Sequence, residues 1–262
     1  MPGAPIDDYV DAFVTRCAVE MGPQDAALDA PGVCGIVTDR AEGRIRLLVV
    51  DDRAYDRLAA LLPDVPAGVV QVFEAAAHCV DLLRGRSDWK SERPATAMVH
   101  RDLQSLPHPA LPSGLSLRPV RRRSVDASDG VPLHDAVALA VLADPGITDP
   151  PEALADYLRS LAPTTRLLAA VDDSGAVRAT SGSGVFGREA SVLFVNTEPA
   201  WRGRGVARAM TAAALRAARS GGATRASLVA TDAGAPLYLQ LGFQAAARIR
   251  RFFGVAPPIP QA

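Results

Sequence analysis

Three arginines and two glycines lie close together where an apolar run gives way to a helical pattern. The stretch VNTEPAWRGRGVARAM (195–210) contains Arg202, Gly203, Arg204, Gly205 and Arg208. The first turn of a helix carries unpaired N–H groups and about half a positive charge, and glycine lets a ligand approach the backbone. We therefore predict an anion site at this turn, most naturally for a phosphate or a pyrophosphate.

Two common phosphate-binding motifs do not fit this stretch. A Walker A loop ends in Gly-Lys-Ser/Thr, whereas the only lysine of the chain, Lys90, follows Trp89. A dinucleotide fingerprint, G-x-G-x-x-G, would use Gly203 and Gly205 but has Arg208 in place of its third glycine. It also expects an acidic residue about 20 positions later, and residues 222–228 contain none.

The composition excludes several classes of function. Lys and Arg total 28 against 29 Asp and Glu, so no overall positive charge favours a nucleic-acid partner. Three dispersed cysteines and four scattered histidines favour neither disulfides nor a metal site. No run approaches the roughly 18 apolar residues of a membrane span, and the N-terminus has no apolar signal segment. We expect a cytoplasmic protein without a membrane partner, and the sequence leaves a homodimer open.

The order of apolar patterns predicts an α/β (α+β) protein in two parts. A Pro-rich linker at 107–114 separates residues 1–106 from residues 115–254, and residues 255–262 form a Pro-rich tail. The first part alternates strand and helix patterns. The second part is predicted as β, α, α, β, β, β, α, β, α, β, with a hairpin turn at Asp173-Ser174-Gly175.

The second part resembles the GNAT superfamily of N-acetyltransferases. Residues Arg202–Ala207 fit the family's pyrophosphate motif, R/Q-x-x-G-x-G/A, between a strand pattern and a helix pattern. The segment GAPLYLQLGF (234–243) resembles the family's A-x-x-L-Y-x-x-L-G-F signature. The resemblance implies a mixed, mostly antiparallel twisted sheet flanked by helices. It also implies acetyl-CoA as cosubstrate, with no metal.

The same resemblance assigns the cosubstrate contacts. The pantetheine arm would pair with the backbone of one strand end, and the pyrophosphate would rest on the following turn. These positions are Val195, Asn196 and Thr197 for the strand, and Arg202, Gly203, Arg204, Gly205, Val206 and Ala207 for the turn. The family often has an Asn where this chain has Thr231, which leaves one contact without its usual residue.

Acetyl transfer to an amine needs a proton donor for the departing thiolate, an oxyanion donor and a neutral amine. By resemblance, Tyr238 is the general acid, although a packed core tyrosine is the alternative. The backbone N–H near Val195 is the oxyanion donor. Glu189 is a candidate general base, with Glu198 also near the strand; a solvated strand-end charge is the alternative.

The acceptor is expected to be the amine of a small molecule or of an amino acid. By resemblance it would enter over the connection at 143–150, where Asp144 and Asp149 could attract an ammonium group or serve as turn residues. Residues Arg121–Arg123 are interpreted as a solvated cluster, or as a contact for the adenosine phosphates or an acidic substrate.

The first part resembles the front of glycine N-acyltransferase-like proteins, which carry a degenerate GNAT-type half. No R-x-x-G-x-G/A occurs before residue 115, and LRGRS (83–87) is its nearest approximation. We therefore expect a smaller GNAT-like α/β domain without a cofactor site. The alternative function for the whole chain is a non-catalytic regulator that binds acyl-CoA.

Overall fold

The structure is a computed structural model that describes residues 4–21, 25–37, 44–64, 67–91, 94–122, 130–144 and 150–254. The described residues form two compact units. The first comprises those within Met1–Val99, Val229–Pro236 and Gln244–Ala262, and the second comprises those within His100–Leu228 and Leu237–Phe243.

The first unit is a mixed sheet with helices on both faces. Its helices are α1 (Pro5–Glu20), α2 (Tyr55–Leu61) and α3 (Ala77–Arg84). Its strands are β1 (Ala26–Ala30), β2 (Val33–Val37), β3 (Arg44–Val49), β4 (Ala67–Phe73), β5 (Trp89–Ser91) and β6 (Ala95–His100), joined by β13 (Gln244–Gly254). The strand order is β1-β2-β3-β4-β13-β6, with β5 also paired to β13. Only the β3–β4 pair is parallel among these described pairings.

Apolar side chains alternate between the two faces of the central strands, so this unit has two apolar cores. Leu47 and Val49 of β3 pack with Leu58 of α2 and Leu83 of α3 on one face of the sheet. Leu48, from the same strand, packs with the side chains of α1 on the other face. This arrangement follows from the two-residue period of a strand, which sends successive side chains to opposite faces.

The second unit has the same kind of architecture. Its helices are α4 (Leu133–Ala143), α5 (Pro151–Ser160), α6 (Val206–Ser220) and α7 (Ala235–Gln240), the last belonging to this unit from Leu237 onward. Its strands are β7 (Leu115–Arg121), β8 (Val131–Pro132), β9 (Arg166–Asp172), β10 (Val177–Phe186) and β11 (Glu189–Thr197), together with β12 (Arg225–Thr231) up to Leu228. The order is β12-β11-β10-β9-β7-β8, with β11–β12 and β7–β8 parallel.

Helices α4, α5 and α6 of the second unit pack against opposite faces of β9. Leu167, Ala169 and Val171 pack with α4 and α5, whereas Ala170 packs with Val206 and Met210 of α6. Helix α6 ends at Ser220 with Gly221 as its C-cap, as the pair Gly221-Gly222 predicts. The N-terminus of α6 therefore lies next to the end of β11, because only the short turn 198–205 connects them.

The two units share one strand connectivity. In the first unit β1-β2-β3-β4 pair antiparallel, antiparallel and parallel, with α2 between β3 and β4. In the second unit β9-β10-β11-β12 pair in the same way, with α6 between β11 and β12. The strand–turn–helix containing the predicted anion site thus has a counterpart in the first unit.

Most predicted elements are confirmed, including the mixed, mostly antiparallel sheets and the hairpin turn closed by the Gly175 N–H on the Asp172 carbonyl. Strands β1, β5 and β8 were not predicted; the sequence predicted a helix from Val131 onward, whereas α4 begins at Leu133. The last strand, assigned to the 115–254 part, pairs with β4, β5 and β6 and so belongs to the first unit. The tail 255–262 lies outside the described residues.

The interpretation of Arg122 as part of a solvated cluster is wrong, since its side chain is 7% exposed. Its guanidinium donates to the carbonyls at the C-terminal end of α5 and in the following loop, at 2.9–3.1 Å. Arg122 therefore caps α5, where the last carbonyls of a helix otherwise lack donors. Arg123 lies outside the described residues.

Candidate functional site

The turn before α6 has the backbone conformation that only glycine adopts readily. Gly203 has φ +74° and Gly205 has φ +78°. A Cβ built on Gly203 would have nothing within 4 Å, so the conformation and not crowding requires glycine there. Both residues are exposed, which leaves the backbone of the turn open to a ligand.

The N–H groups of residues 203–208 are consecutive open donors. Trp201 and Arg202 donate to the carbonyls of Glu198 and Pro199, and donation resumes only at Ala209, which bonds the Gly205 carbonyl at 3.0 Å. Within the described chain, no backbone or side-chain acceptor meets the six N–H groups between them. Six such donors at a helix N-terminus form a cradle for a multiply charged anion. We call residues 203–208 the amide cradle.

The arginines around the amide cradle have different tasks. Arg202 donates to the carbonyls of Thr197 and Ala143, and so fixes the turn to the ends of β11 and α4. The guanidinium of Arg204 lies 5.1 Å from the ring centre of Trp201. Arg208 donates to Gln240 Oε1 at 3.0 Å.

No acidic residue stands in the first turn of α6, and none of these three arginines pairs with a carboxylate in the part of the chain that the structure describes. Their positive charge is therefore not neutralised by a carboxylate of the described residues. The turn combines open donors with uncompensated charge, which is what an anion needs.

Strand β11 contains a bulge just before this turn. Its register with β10 shifts between Thr180 and Gly182, so that Phe194 and Val195 together oppose Ser181. Phe194 has φ +56°, and among the described residues it is the only one that combines a positive φ with a side chain. The bulge gives the peptide between Phe194 and Val195 an orientation that a regular strand would not have.

One edge of β11 is unpaired near the bulge. The parallel ladder with β12 covers Glu189–Arg225, Ala190–Ala226 and Ser191–Ser227 in the described pairing. Beyond Ser191 the strand pairs only with β10 among the described residues. An unpaired strand edge offers N–H and C=O groups to an extended ligand.

Tyr238 lies on α7 and is 9% exposed. Its ring meets Phe243 edge-on, with centroids 5.9 Å apart. Its hydroxyl has no hydrogen-bond partner among the described residues, and burial raises the pKa of Tyr238 to about 12. A phenol with this pKa stays protonated at neutral pH and can donate a proton.

The amide cradle, the bulge and Tyr238 all lie in the part of the chain that is similar to a known protein family. Residues 163–245 match the acetyltransferase (GNAT) domain. The match includes β9–β12, the amide cradle and Tyr238. No curated protein matches the chain in sequence.

Solved structures extend the likeness to the whole chain. A GCN5-related N-acetyltransferase from Kribbella flavida is 16% identical, with 98% of each chain covered and a TM-score of 0.62. One from Sphaerobacter thermophilus is 19% identical, with 92% of this chain and 84% of that chain covered and a TM-score of 0.54. A tandem GNAT protein from the clavulanic acid biosynthesis pathway is 18% identical, with 97% and 96% covered and a TM-score of 0.50.

These likenesses confirm the GNAT-type fold and its two GNAT-like halves. At such identities they concern the fold and not a shared substrate. The more specific likeness of the first part to glycine N-acyltransferase-like proteins stays a prediction. The nearest approximation to the motif in that part, LRGRS, lies at the C-terminal end of α3, where carbonyls and not amides are exposed.

Glu189 lies far from the candidate residues at the opposite end of β11 and in the amide cradle. It stands at the start of β11, and six residues at about 3.3 Å each place it about 20 Å from Val195. Its side chain is buried, with 4% exposure, and forms an ion pair with Arg225. The alternative of a solvated charge is wrong, and the geometry gives Glu189 no position from which to deprotonate an amine near Val195.

Glu198 lies closer to the amide cradle, but its carboxylate already forms an ion pair. Arg178 bridges it to Asp172, with N–O distances of 2.6 and 2.7 Å. Asp144 is exposed after α4, whereas Asp149 and the rest of residues 145–149 lie outside the described chain. The bulge and the Arg208–Gln240 contact were missed by sequence reasoning, because neither a bulge nor a pair 32 residues apart leaves a local pattern.

The described residues contain no group of three or more His, Cys, Asp or Glu side chains arranged to hold a metal ion. They also contain no helix that is long and apolar enough to cross a membrane.

Proposed function

We propose that the second unit transfers an acetyl group from acetyl-CoA to a primary amine of a small molecule or an amino acid. The amide cradle carries this proposal: six open N–H groups, with arginines that have no carboxylate partner among the described residues, suit a pyrophosphate, and acetyl-CoA has one. The match of residues 163–245 to the acetyltransferase (GNAT) domain supports acyl transfer.

The proposed binding mode uses backbone groups for most contacts. The pyrophosphate accepts from the N–H groups of residues 203–207, and Arg204 and Arg208 supply charge beside it. Arg202 acts by holding the turn in place, since its guanidinium already bonds two carbonyls. The pantetheine arm pairs with the open edge of β11 at Val195, Asn196 and Thr197, as a peptide adds to a sheet edge.

The proposed chemistry needs two groups from the chain. The Val195 N–H stabilises the negative oxygen that forms when the amine attacks the thioester carbonyl. Tyr238 then donates its proton to the departing thiolate, which its raised pKa permits across the physiological range. The amine attacks as the neutral species, having lost its proton to water, because Glu189 is too far from the site.

A two-step experiment tests the proposal. Calorimetric titration of the full chain with acetyl-CoA should show one site per chain, since one turn of the described residues offers an amide cradle. A library of primary amines at fixed acetyl-CoA is then screened for release of free CoA thiol. Binding with thiol release supports the enzyme, and saturable binding without release for every amine supports the non-catalytic regulator. Absence of binding contradicts both.

A further inference from the structure

The bulge in β11 is held by a side chain of the neighbouring strand. Thr180, in β10, is completely buried. Its Oγ1 donates to the carbonyl of Phe194 at 3.0 Å and accepts from Nδ2 of Asn196 at 3.3 Å. The threonine hydroxyl therefore bonds to residues on both sides of Val195, donating one hydrogen bond and accepting another.

This bond fixes the direction of the Val195 N–H. All described peptide bonds are trans, so the C=O of Phe194 and the N–H of Val195 point in opposite directions. Because the carbonyl points to Thr180, the N–H points away from it and from β10. It is therefore directed to the side of β11 on which the ladder with β12 has already ended.

The conformation that Thr180 holds is one that the chain would not keep unaided. A residue with a side chain is strained in a left-handed conformation such as that of Phe194, whose φ is +56°. Without the hydroxyl, the part-buried carbonyl of Phe194 would lose the hydrogen bond that Thr180 donates to it, and rotation of the peptide would relieve the strain. That rotation would turn the Val195 N–H from its present direction.

We propose that Thr180 is a positioning residue for acyl transfer: through Phe194 it aims the Val195 N–H at the carbonyl oxygen of the acyl thioester. The inference rests on the proposed function. It concerns a fully buried residue of β10 that lies outside the pyrophosphate motif.

The test compares Thr180→Val, which keeps the shape and removes the hydroxyl, with Thr180→Ser, which keeps the hydroxyl. Each full-length variant is titrated with acetyl-CoA, assayed for kcat and studied by infrared spectroscopy with acetyl-CoA labelled with ¹³C at the thioester carbonyl. A hydrogen bond from Val195 lowers the carbonyl stretching frequency of the bound thioester. This shift is a direct readout that a purely structural role of Thr180 would not change.

We expect Thr180→Val to lose the frequency shift and about 10²-fold in kcat, as for removal of one oxyanion donor. Its Kd for acetyl-CoA should stay within about threefold, because the amide cradle is unaltered. Thr180→Ser should keep the shift and stay within about threefold of wild-type kcat. Thr180→Cys, with a weaker donor, should lie between them and serves if valine prevents folding.

Three results would overturn the inference. If Thr180→Val, or Thr180→Cys where valine prevents folding, keeps the wild-type frequency shift and kcat, Thr180 has no part in the reaction. The proposed acetyl transfer would be unaffected by that result. A weaker Kd with unchanged kcat would assign Thr180 to binding instead. No binding of acetyl-CoA by the wild-type chain would contradict the proposed function, and the inference with it.

Discussion

Replacing Gly205 by Asp should abolish acetyl-CoA binding in a chain that remains folded. Gly205 has φ +78°, and a Cβ there would have only Arg208 Nη2 within 4 Å, at 3.9 Å. The new side chain therefore fits. Asp and Asn tolerate the left-handed conformation better than other side chains, so we expect the free energy of unfolding to fall by less than about 1 kcal/mol.

The effect on affinity follows from charge. A carboxylate at this position competes for the open amides of the first turn of α6, as an N-cap residue does. It also lies about 5 Å from a bound phosphate charge, and two like charges at that distance repel by about 3 kcal/mol at an effective dielectric constant near 20. At 1.4 kcal/mol per tenfold change, Kd should rise at least about 100-fold.

Gly205→Asn is the matched control. Asn has the shape and conformational preference of Asp and competes for the same amides, but it does not repel a phosphate. We expect its Kd to rise by about tenfold or less. The difference between the two variants should shrink between 0.1 M and 1 M salt, where the screening length falls from about 10 Å to about 3 Å.

Calorimetric titration of the three proteins with acetyl-CoA at both salt concentrations measures these differences, and urea unfolding reports their stability. An acetyl thioester of N-acetylcysteamine lacks phosphates and should bind all three alike. Equal acetyl-CoA affinity in the Asp variant and the wild type would place the pyrophosphate elsewhere. Equal losses in Asp and Asn would show that shape, not charge, is responsible.

Three further substitutions separate chemistry from stability. Tyr238→Phe keeps the edge-on contact with Phe243, and we expect single-turnover transfer to slow by roughly 10²–10⁴-fold at unchanged Kd. Since burial raises the pKa of Tyr238 to about 12, the wild-type rate should show no phenol-dependent decline up to about pH 11; a near-normal rate in the variant would make Tyr238 a packing residue. Glu189→Gln leaves Arg225 without its partner, so stability should fall by about 1–2 kcal/mol in urea while the rate is kept. A lost rate at normal stability would restore Glu189 as the base. The lysine of Arg122→Lys cannot reach all the carbonyls that Arg122 contacts, so the free energy of unfolding should fall by about 2–4 kcal/mol while the affinity for acetyl-CoA stays unchanged. Wild-type stability in this variant would refute the capping role.

The sequence predicts those parts of the fold that local signals determine. The glycine turn before α6, the Asp173–Gly175 hairpin and the apolar face of α6 depend on neighbouring residues, and the structure contains each of them. For the same reason, the position of the amide cradle is predictable. Open amides follow directly from a helix that begins with glycine and has no capping side chain.

Other features depend on contacts between distant residues and leave no local pattern. The apolar residues of β13 fit a strand in either part, and only its pairing with β4 and β6 assigns it to the first unit. Glu189 looks solvated at a strand end until its pairing with Arg225 across the parallel ladder is known. Likewise, Arg122 lies in a run of charges but finds its acceptors some 40 residues later.

The same connectivity occurs in both units, yet of these two described turns the one before α6 has the run of open amides. In the first unit the turn from β3 to α2 contains Asp51, whose Oδ1 accepts from the Arg53 N–H at 3.0 Å and whose carboxylate pairs with the Arg53 guanidinium. The bonded guanidinium lowers the pKa of Asp51, so the carboxylate stays ionised at neutral pH. Asp52 accepts in turn from the Cys79 N–H in the first turn of α3. The carboxylates of the first unit thus hold positions that an anion would need, and they would repel a phosphate there. In the second unit glycines stand in place of these acids, and the donors stay free for a ligand from solution.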